Sequence, residues 1–191
     1  YMLGHSEGGM LTPYLMKQSG GGFDGGIVLA GTPRQLWELI YDQNLAMLEG
    51  SPEETIATAE AQLEAEKEKL ATLDGMSEEE LRTTTVFGIP APYLAHLNRI
   101  DALALAHANN APLLIPQGEE DFQVTTEKDY AAWKEGWADM GELVTYKSSP
   151  GLSHLFMPAS GSIQDAMGAY ATPELVDEGV ITDIAEWINT H

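Results

Sequence analysis

The first thirty residues constrain the fold more than any other stretch. Tyr1-Met2-Leu3 is a short β-prone run that ends at Gly4-His5-Ser6-Glu7-Gly8-Gly9. Beyond it Met10, Leu11, Tyr14 and Leu15 fall at i, i+1, i+4 and i+5, a spacing that predicts a helix to about Gln18. Ser19-Gly20-Gly21-Gly22 stops that helix. Ile27-Val28-Leu29-Ala30, preceded by Gly25 and Gly26, then reads as a fully buried strand. Strand, tight turn, helix and strand make a βαβ unit, which implies a parallel sheet with helices on its faces.

This rhythm breaks after residue 32. Arg34–Leu48 is predicted helical, with Leu36, Trp37, Ile40, Leu45 and Leu48 at near-helical spacing. Ser51-Pro52-Glu53-Glu54 reads as a helix start, with acidic side chains facing the positive end of the dipole. The helix that follows, to about Leu73, is polar except for a thin seam of Ile56, Ala59, Leu63, Leu70 and Leu73. So narrow a stripe fits a helix lying over a surface. Ser77-Glu78-Glu79-Glu80 has capping-box spacing, and Pro90-Ala91-Pro92 marks a turn before a helical stretch over 93–107. The expected organisation is a core part over 1–32, a helical lid insertion over 33–108 and a second core part over 109–191. Ordinary helices flanking the sheet are the alternative for the middle part.

The α/β rhythm resumes at Ala111-Pro112-Leu113-Leu114-Ile115-Pro116, a buried strand with proline at its start. A helix over 126–140, a strand over 143–147, a loop over 150–158 and a closing helix within 173–189 complete the pattern. Leu175, Val176, Val180, Ile184, Trp187 and Ile188 are the expected apolar face of that last helix.

Gly4-His5-Ser6-Glu7-Gly8 fits G-x-S-x-G, and it stands between a predicted strand and a predicted helix, as a nucleophile elbow requires. In that setting the Glu7 backbone N–H, at the helix head, can receive a developing oxyanion. A serine hydroxyl needs a base, and the base needs an orienting acid. Two later segments supply these in the chain order Ser, Asp, His. Asp121 follows the strand 112–116, at the carboxyl end where open α/β sheets place ligands; Glu119 and Glu120 are its rivals as the acid. His154 lies in the loop after the next strand. His5 reads as a packing residue beneath the elbow. His96, His107 and His191 have no ligand spacing, so no metal site is expected. Trp133, Trp137 and Trp187 read as core. Arg34 reads as one half of a salt bridge in the insertion, with a substrate carboxylate as its other option.

These blocks, Gly4-His5-Ser6-Glu7-Gly8-Gly9, Gln117-Gly118-Glu119-Glu120-Asp121-Phe122-Gln123-Val124 and Leu152-Ser153-His154-Leu155-Phe156, resemble the elbow, acid and histidine blocks of the α/β-hydrolase superfamily. With Ala30-Gly31-Thr32-Pro33-Arg34, they are most similar to bacterial carboxylesterases close to dienelactone and acyl-thioester hydrolases. The resemblance implies Ser6 as nucleophile, His154 as general base then acid, Asp121 as orienting carboxylate, and an acyl-enzyme mechanism without metal or cofactor. Glu7 departs from the apolar residue frequent at its position. Only three residues precede the elbow's first glycine, where the family has several strands. The chain therefore reads as the C-terminal part of such a hydrolase. An upstream segment or second fragment is expected to complete the sheet and supply the second oxyanion donor.

The expected activity is cleavage of small or medium carboxylic esters, with Tyr93, Phe122 and Phe156 as candidate walls of the substrate pocket. Peptidase, thioesterase and a non-catalytic hydrolase-like binding module remain open beside it. With 30 acidic and 9 basic residues among 191, the formal charge is −21. Nucleic-acid binding is set aside because it rests on Lys and Arg neutralising phosphates, and the phosphates of coenzyme A are disfavoured for the same reason. No apolar stretch has the length of a membrane span. The absence of cysteine removes disulfides, thiolate metal sites and cysteine nucleophiles.

Overall fold

The computed structural model describes residues 1–159, 163–171 and 174–191. In chain order β1 (Met2–His5) leads into α1 (Glu7–Gln18) and β2 (Gly26–Leu29). A helical stretch follows, comprising α2 (Leu36–Ala46), α3 (Glu53–Leu70), α4 (Glu78–Thr83), a hairpin of β3 (Thr85–Val86) and β4 (Ile89–Pro90), and α5 (Ala91–Leu97). The chain then resumes with α6 (Ala102–Asn109), β5 (Leu113–Gly118), α7 (Ala131–Gly136), β6 (Val144–Ser149), α8 (Ile163–Ala169) and α9 (Glu178–Thr190).

These elements form two compact units, one of residues 1–34 and 101–191 and one of residues 35–100. In the first, four strands make an all-parallel sheet in the order β1-β2-β5-β6. Alternation along the two central strands sends side chains to both faces. Val28, Leu113 and Ile115 join Met16, Ala102, Ala106, Tyr130, Trp133 and Trp137 on one side. Ile27 and Leu114 meet Trp187 of α9 on the other. Every residue of β5 is buried, as expected of a parallel strand covered on both faces.

The boundary of the helical unit is tighter than the 33–108 expected. The helical run read over 93–107 breaks at 98–101, where the Asp101 carboxylate accepts from the Ala104 N–H and starts a new helix. The small faces of Ala102 and Ala106 then lay α6 into the core of the first unit, beside Met16 of α1. The expected helix over 126–140 is also shorter. It opens with a π turn over 126–130, in which the Tyr130 N–H reaches the Thr125 carbonyl at 3.1 Å, and α7 ends at Gly136. The closing helix begins only at Glu178, capped by Asp177 accepting from the Gly179 N–H. Leu175 and Val176, expected on its apolar face, precede it as exposed residues, and the first position of the expected 173–189 span lies outside the described residues.

Within the helical unit Ser77 and Glu80 form the capping box read from the sequence. Tyr41 of α2 donates its hydroxyl to Glu64 of α3 at 2.6 Å, and the Lys67 ammonium lies 5.6 Å from the Tyr41 ring. The β3–β4 turn carries Phe87 and Gly88, both at positive φ. It is held by the Phe87 N–H donating to the Glu66 carboxylate at 2.8 Å. Among the described residues no helix is long and apolar enough to cross a membrane.

Burial sets an expectation for stability. Leu114, with no exposed surface in β5, should lose about 2–5 kcal/mol on replacement by alanine. Leu175, 87% exposed, should change by no more than about 0.5 kcal/mol. Urea unfolding followed by tryptophan fluorescence measures both.

Candidate active site

Ser6 is the single residue between β1 and α1, and it sits at φ 57°, ψ −121°. A non-glycine residue held there stores about 1–3 kcal/mol of strain, so something must hold it. The Ser6 N–H donates to the Leu29 carbonyl of β2 at 2.8 Å, and the Ser6 carbonyl accepts from the Met10 N–H at 3.0 Å. Gly4 permits the tight turn, since a Cβ there would overlap the Gly8 carbonyl and crowd the Thr12 hydroxyl. Glu7 opens α1, so its N–H belongs to the first turn, whose donors point out of the helix head.

Asp121 and His154 are brought together. The His154 Nδ1–H donates to Asp121 Oδ2 at 2.8 Å, and both residues are 5% exposed. The Asp121 carboxylate is surrounded by donors. Its Oδ1 accepts from the Gln123 and Val124 N–H groups at 2.8 and 3.0 Å, and its Oδ2 lies 3.0 Å from Gln117 Nε2. Four donors thus converge on one buried carboxylate, the imidazole N–H of His154 among them. The rivals fall away by placement: the Glu119 side chain is exposed, Glu120 is half-buried, and neither is the partner of His154.

The histidine loop closes on itself. The Ser153 N–H donates to the Met157 carbonyl and the Phe156 N–H to the Ser153 carbonyl, each at 2.9 Å. The loop is joined to the end of β5 by the Glu120 N–H donating to the Leu152 carbonyl at 2.9 Å. Gly118 lies where a Cβ would strike the Leu152 and Ser153 carbonyls, so the strand carrying Asp121 can approach the loop carrying His154. Phe156, expected to line the pocket, is instead buried in a cluster with Ala30, Leu152 and Val180. It packs on the His5 ring at 6.4 Å and supports the loop from beneath. Phe122 is half-buried next to Asp121, and Tyr93 is an exposed residue of α5.

Ser6 reaches this pair through its neighbour. Among the described residues Ser6 Oγ makes no hydrogen bond to His154. The His5 ring, one residue away, packs against the His154 ring at a centroid distance of 4.6 Å, and the His5 Nε2–H donates to the His154 carbonyl at 2.8 Å. His5, expected as a packing residue beneath the elbow, thus also makes a polar tie to the histidine loop. Its signal was only a polar residue at a position that packing alone would fill with an apolar one. Gln117 was missed as well, although a glutamine inside an otherwise apolar buried strand was visible. Arg34 makes its ion pair with Asp129, at 2.8 Å, within the first unit. His107 bonds the Gly136 carbonyl, and His191 stacks on Trp187. Among the described residues no group of three His, Asp or Glu side chains is placed to hold a metal ion.

The all-parallel sheet places Ser6 after β1, Asp121 after β5 and His154 after β6, the chain order Ser, Asp, His in which α/β-hydrolases carry these residue types. The chain is 32% identical over 192 residues to esterase EstD from Thermotoga maritima, a match covering 98% of this chain and 42% of EstD. It thus spans less than half the length of that relative. Among solved structures it is similar to Est1E from Butyrivibrio proteoclasticus, at 16% identity, with 97% of this chain and 61% of Est1E covered and a TM-score of 0.49. It is also similar to a thermophilic esterase from Thermogutta terrifontis, at 16% identity, 98% and 64% coverage and a TM-score of 0.49. No protein-family model matches the chain.

The His5 contact has a pH consequence. Burial holds the His5 imidazole below its ordinary 6.5, against the opposing pull of the hydrogen bond to the His154 carbonyl. The unfolded chain therefore binds this proton first, and the folded state loses stability as pH falls below 6.5. His5→Gln, which keeps an N–H donor but does not titrate, should flatten the fall in Tm on that acidic side, as followed by calorimetry across pH. Gly4→Ala should prevent soluble expression of folded protein, scored by circular dichroism.

Proposed function

We propose that this chain carries the catalytic residues of a serine hydrolase for small or medium carboxylic esters. The observation that supports the reading best is the buried Asp121–His154 hydrogen bond, tied through His5 to a serine on a strained strand-to-helix turn. In this mechanism Ser6 Oγ adds to the ester carbonyl carbon while His154 Nε2 takes its proton. The imidazolium so formed is stabilised by the Asp121 carboxylate. The oxyanion is received by the Glu7 N–H, as charge developing in the transition state requires. Collapse expels the alcohol, which leaves with the proton held on His154. Water then attacks the acyl-serine with His154 again as base, releasing the acid and restoring Ser6.

An ester suits the charge of the molecule. With a formal charge of −21, a neutral substrate approaches without the repulsion that coenzyme A phosphates would meet. The name of the relative EstD favours the same class. We extend the proposal to a further segment that pairs with the free edge of β1 and brings the second oxyanion donor. Its support is that β1 ends the sheet order, that Leu3 is 51% exposed, and that the chain spans 42% of EstD.

Exposure to a fluorophosphonate followed by intact-mass spectrometry tests the reading. A single adduct is expected, absent in Ser6→Ala, and absence of any adduct on the folded chain would sink the proposal. Supplying the segment that completes the sheet should raise ester turnover by about 10²–10³-fold, the usual weight of one oxyanion donor. Spectrophotometric assay of a nitrophenyl ester measures it.

A further inference from the structure

The turn Ala30-Gly31-Thr32-Pro33-Arg34 supplies no residue to the reacting centre, yet three of its polar groups are directed inward. The Thr32 hydroxyl donates to Asp129 Oδ1 at 2.6 Å, and Arg34 Nε–H donates to the same oxygen at 2.8 Å. The Arg34 backbone N–H in turn donates to the Thr32 hydroxyl oxygen at 3.0 Å. The Gly31 carbonyl accepts from the indole N–H of buried Trp133 at 2.7 Å. Asp129 has no exposed surface and Thr32 is 1% exposed.

The other oxygen of Asp129 turns to its own segment, accepting from the Thr125 N–H at 2.8 Å. That places one buried carboxylate at each end of the segment 121–129. Asp121 gathers the N–H groups of Gln123 and Val124 at the front, and Asp129 gathers that of Thr125 at the back. The front carboxylate faces His154 and the back one faces the turn after β2. A buried ion pair is weak as a source of net stability, because desolvation consumes most of the Coulombic gain. It does fix direction, since donors from two separate segments converge on one oxygen.

We propose that Asp129, with Thr32 and Arg34 as its donors, is a positioning residue that anchors the acid-bearing segment to the turn after β2 and so holds Asp121 at hydrogen-bonding distance from His154. The catalytic consequence rests on the hydrolase reading given above; the structural one does not. Removing the anchor lets the segment relax outward, and the imidazole loses its fixed orientation before the fold is lost.

The test compares Asp129→Asn and Thr32→Val with Leu63→Ala, which truncates a buried residue of the helical unit. The first readout is the proton NMR resonance of the His154 Nδ1–H, identified by its loss in His154→Gln. The second is kcat and KM on nitrophenyl acetate. Both anchor variants should shift or broaden the resonance and lower kcat by about tenfold to a hundredfold, with KM nearly unchanged. Leu63→Ala should move neither. An unchanged resonance in folded Asp129→Asn and Thr32→Val overturns the proposal, even if their Tm falls. Thr32→Val decides alone if Asp129→Asn does not fold, because it keeps the side-chain shape and removes only the hydroxyl. A wild-type chain that neither hydrolyses ester nor takes up fluorophosphonate refutes the hydrolase reading, while the resonance still judges the anchor.

Discussion

The site is built on the closeness of two backbones. Gly4 of β1 lies against the Gly8 carbonyl of α1 with no room for a Cβ, so strand passes to helix through one residue. That residue, Ser6, takes a φ that side chains rarely adopt, and hydrogen bonds to Leu29 and Met10 on either side keep it there. Were strand and helix farther apart, the turn would need more residues and the hydroxyl would no longer be fixed by the sheet. The strain is local, but the hydrogen bond to Leu29 makes β2 its support, and β2 is itself held by β5. The backbone conformation of Ser6 thus depends on the central strands of the sheet.

A second constraint comes from charge. A chain with 30 acidic residues must keep most of them in water, and those it buries need compensation. Asp121 and Asp129 meet that need in the same way, with backbone N–H groups from their own segment on one side and side-chain donors from elsewhere on the other. The surface acids behave differently. Glu53 and Glu54 stand exposed at the head of α3, where the positive end of the helix dipole favours them.

What was legible in the sequence was what local chemistry decides. The elbow shows because glycine, serine and the change of hydrophobic period are read within ten residues. Asp121 and His154 show because each stands in a short loop after a parallel strand. The Ser77 capping box was readable for the same reason. The rest was set by partners distant in the chain. Nothing near Asp129 announces Thr32 and Arg34, ninety-odd residues earlier, and nothing near His5 announces the carbonyl of His154. Phe156 looked like a pocket wall because it is aromatic and follows the histidine; only the packed loop shows it turned toward Val180. The limits of the helical unit were misjudged because α6 has the same periodicity as the helices before it, and the choice of neighbour rests on two alanines that fit against α1.

The β2–β5 pairing carries a consequence for how the chain folds. Gly26 pairs with Leu113 and Ile27 with Leu114, and the whole of the helical unit lies in the connection between them. Closing so long a loop is an entropic burden that grows with the logarithm of its length, about 0.6 kcal/mol for each doubling. A connection that first condenses around its own core is a much shorter tether than the same residues as open coil. The compactness of the helical unit thus lowers the entropic cost of bringing β2 and β5 together. The backbone of Ser6, bonded to Leu29, is held only where β2 is in place beside it.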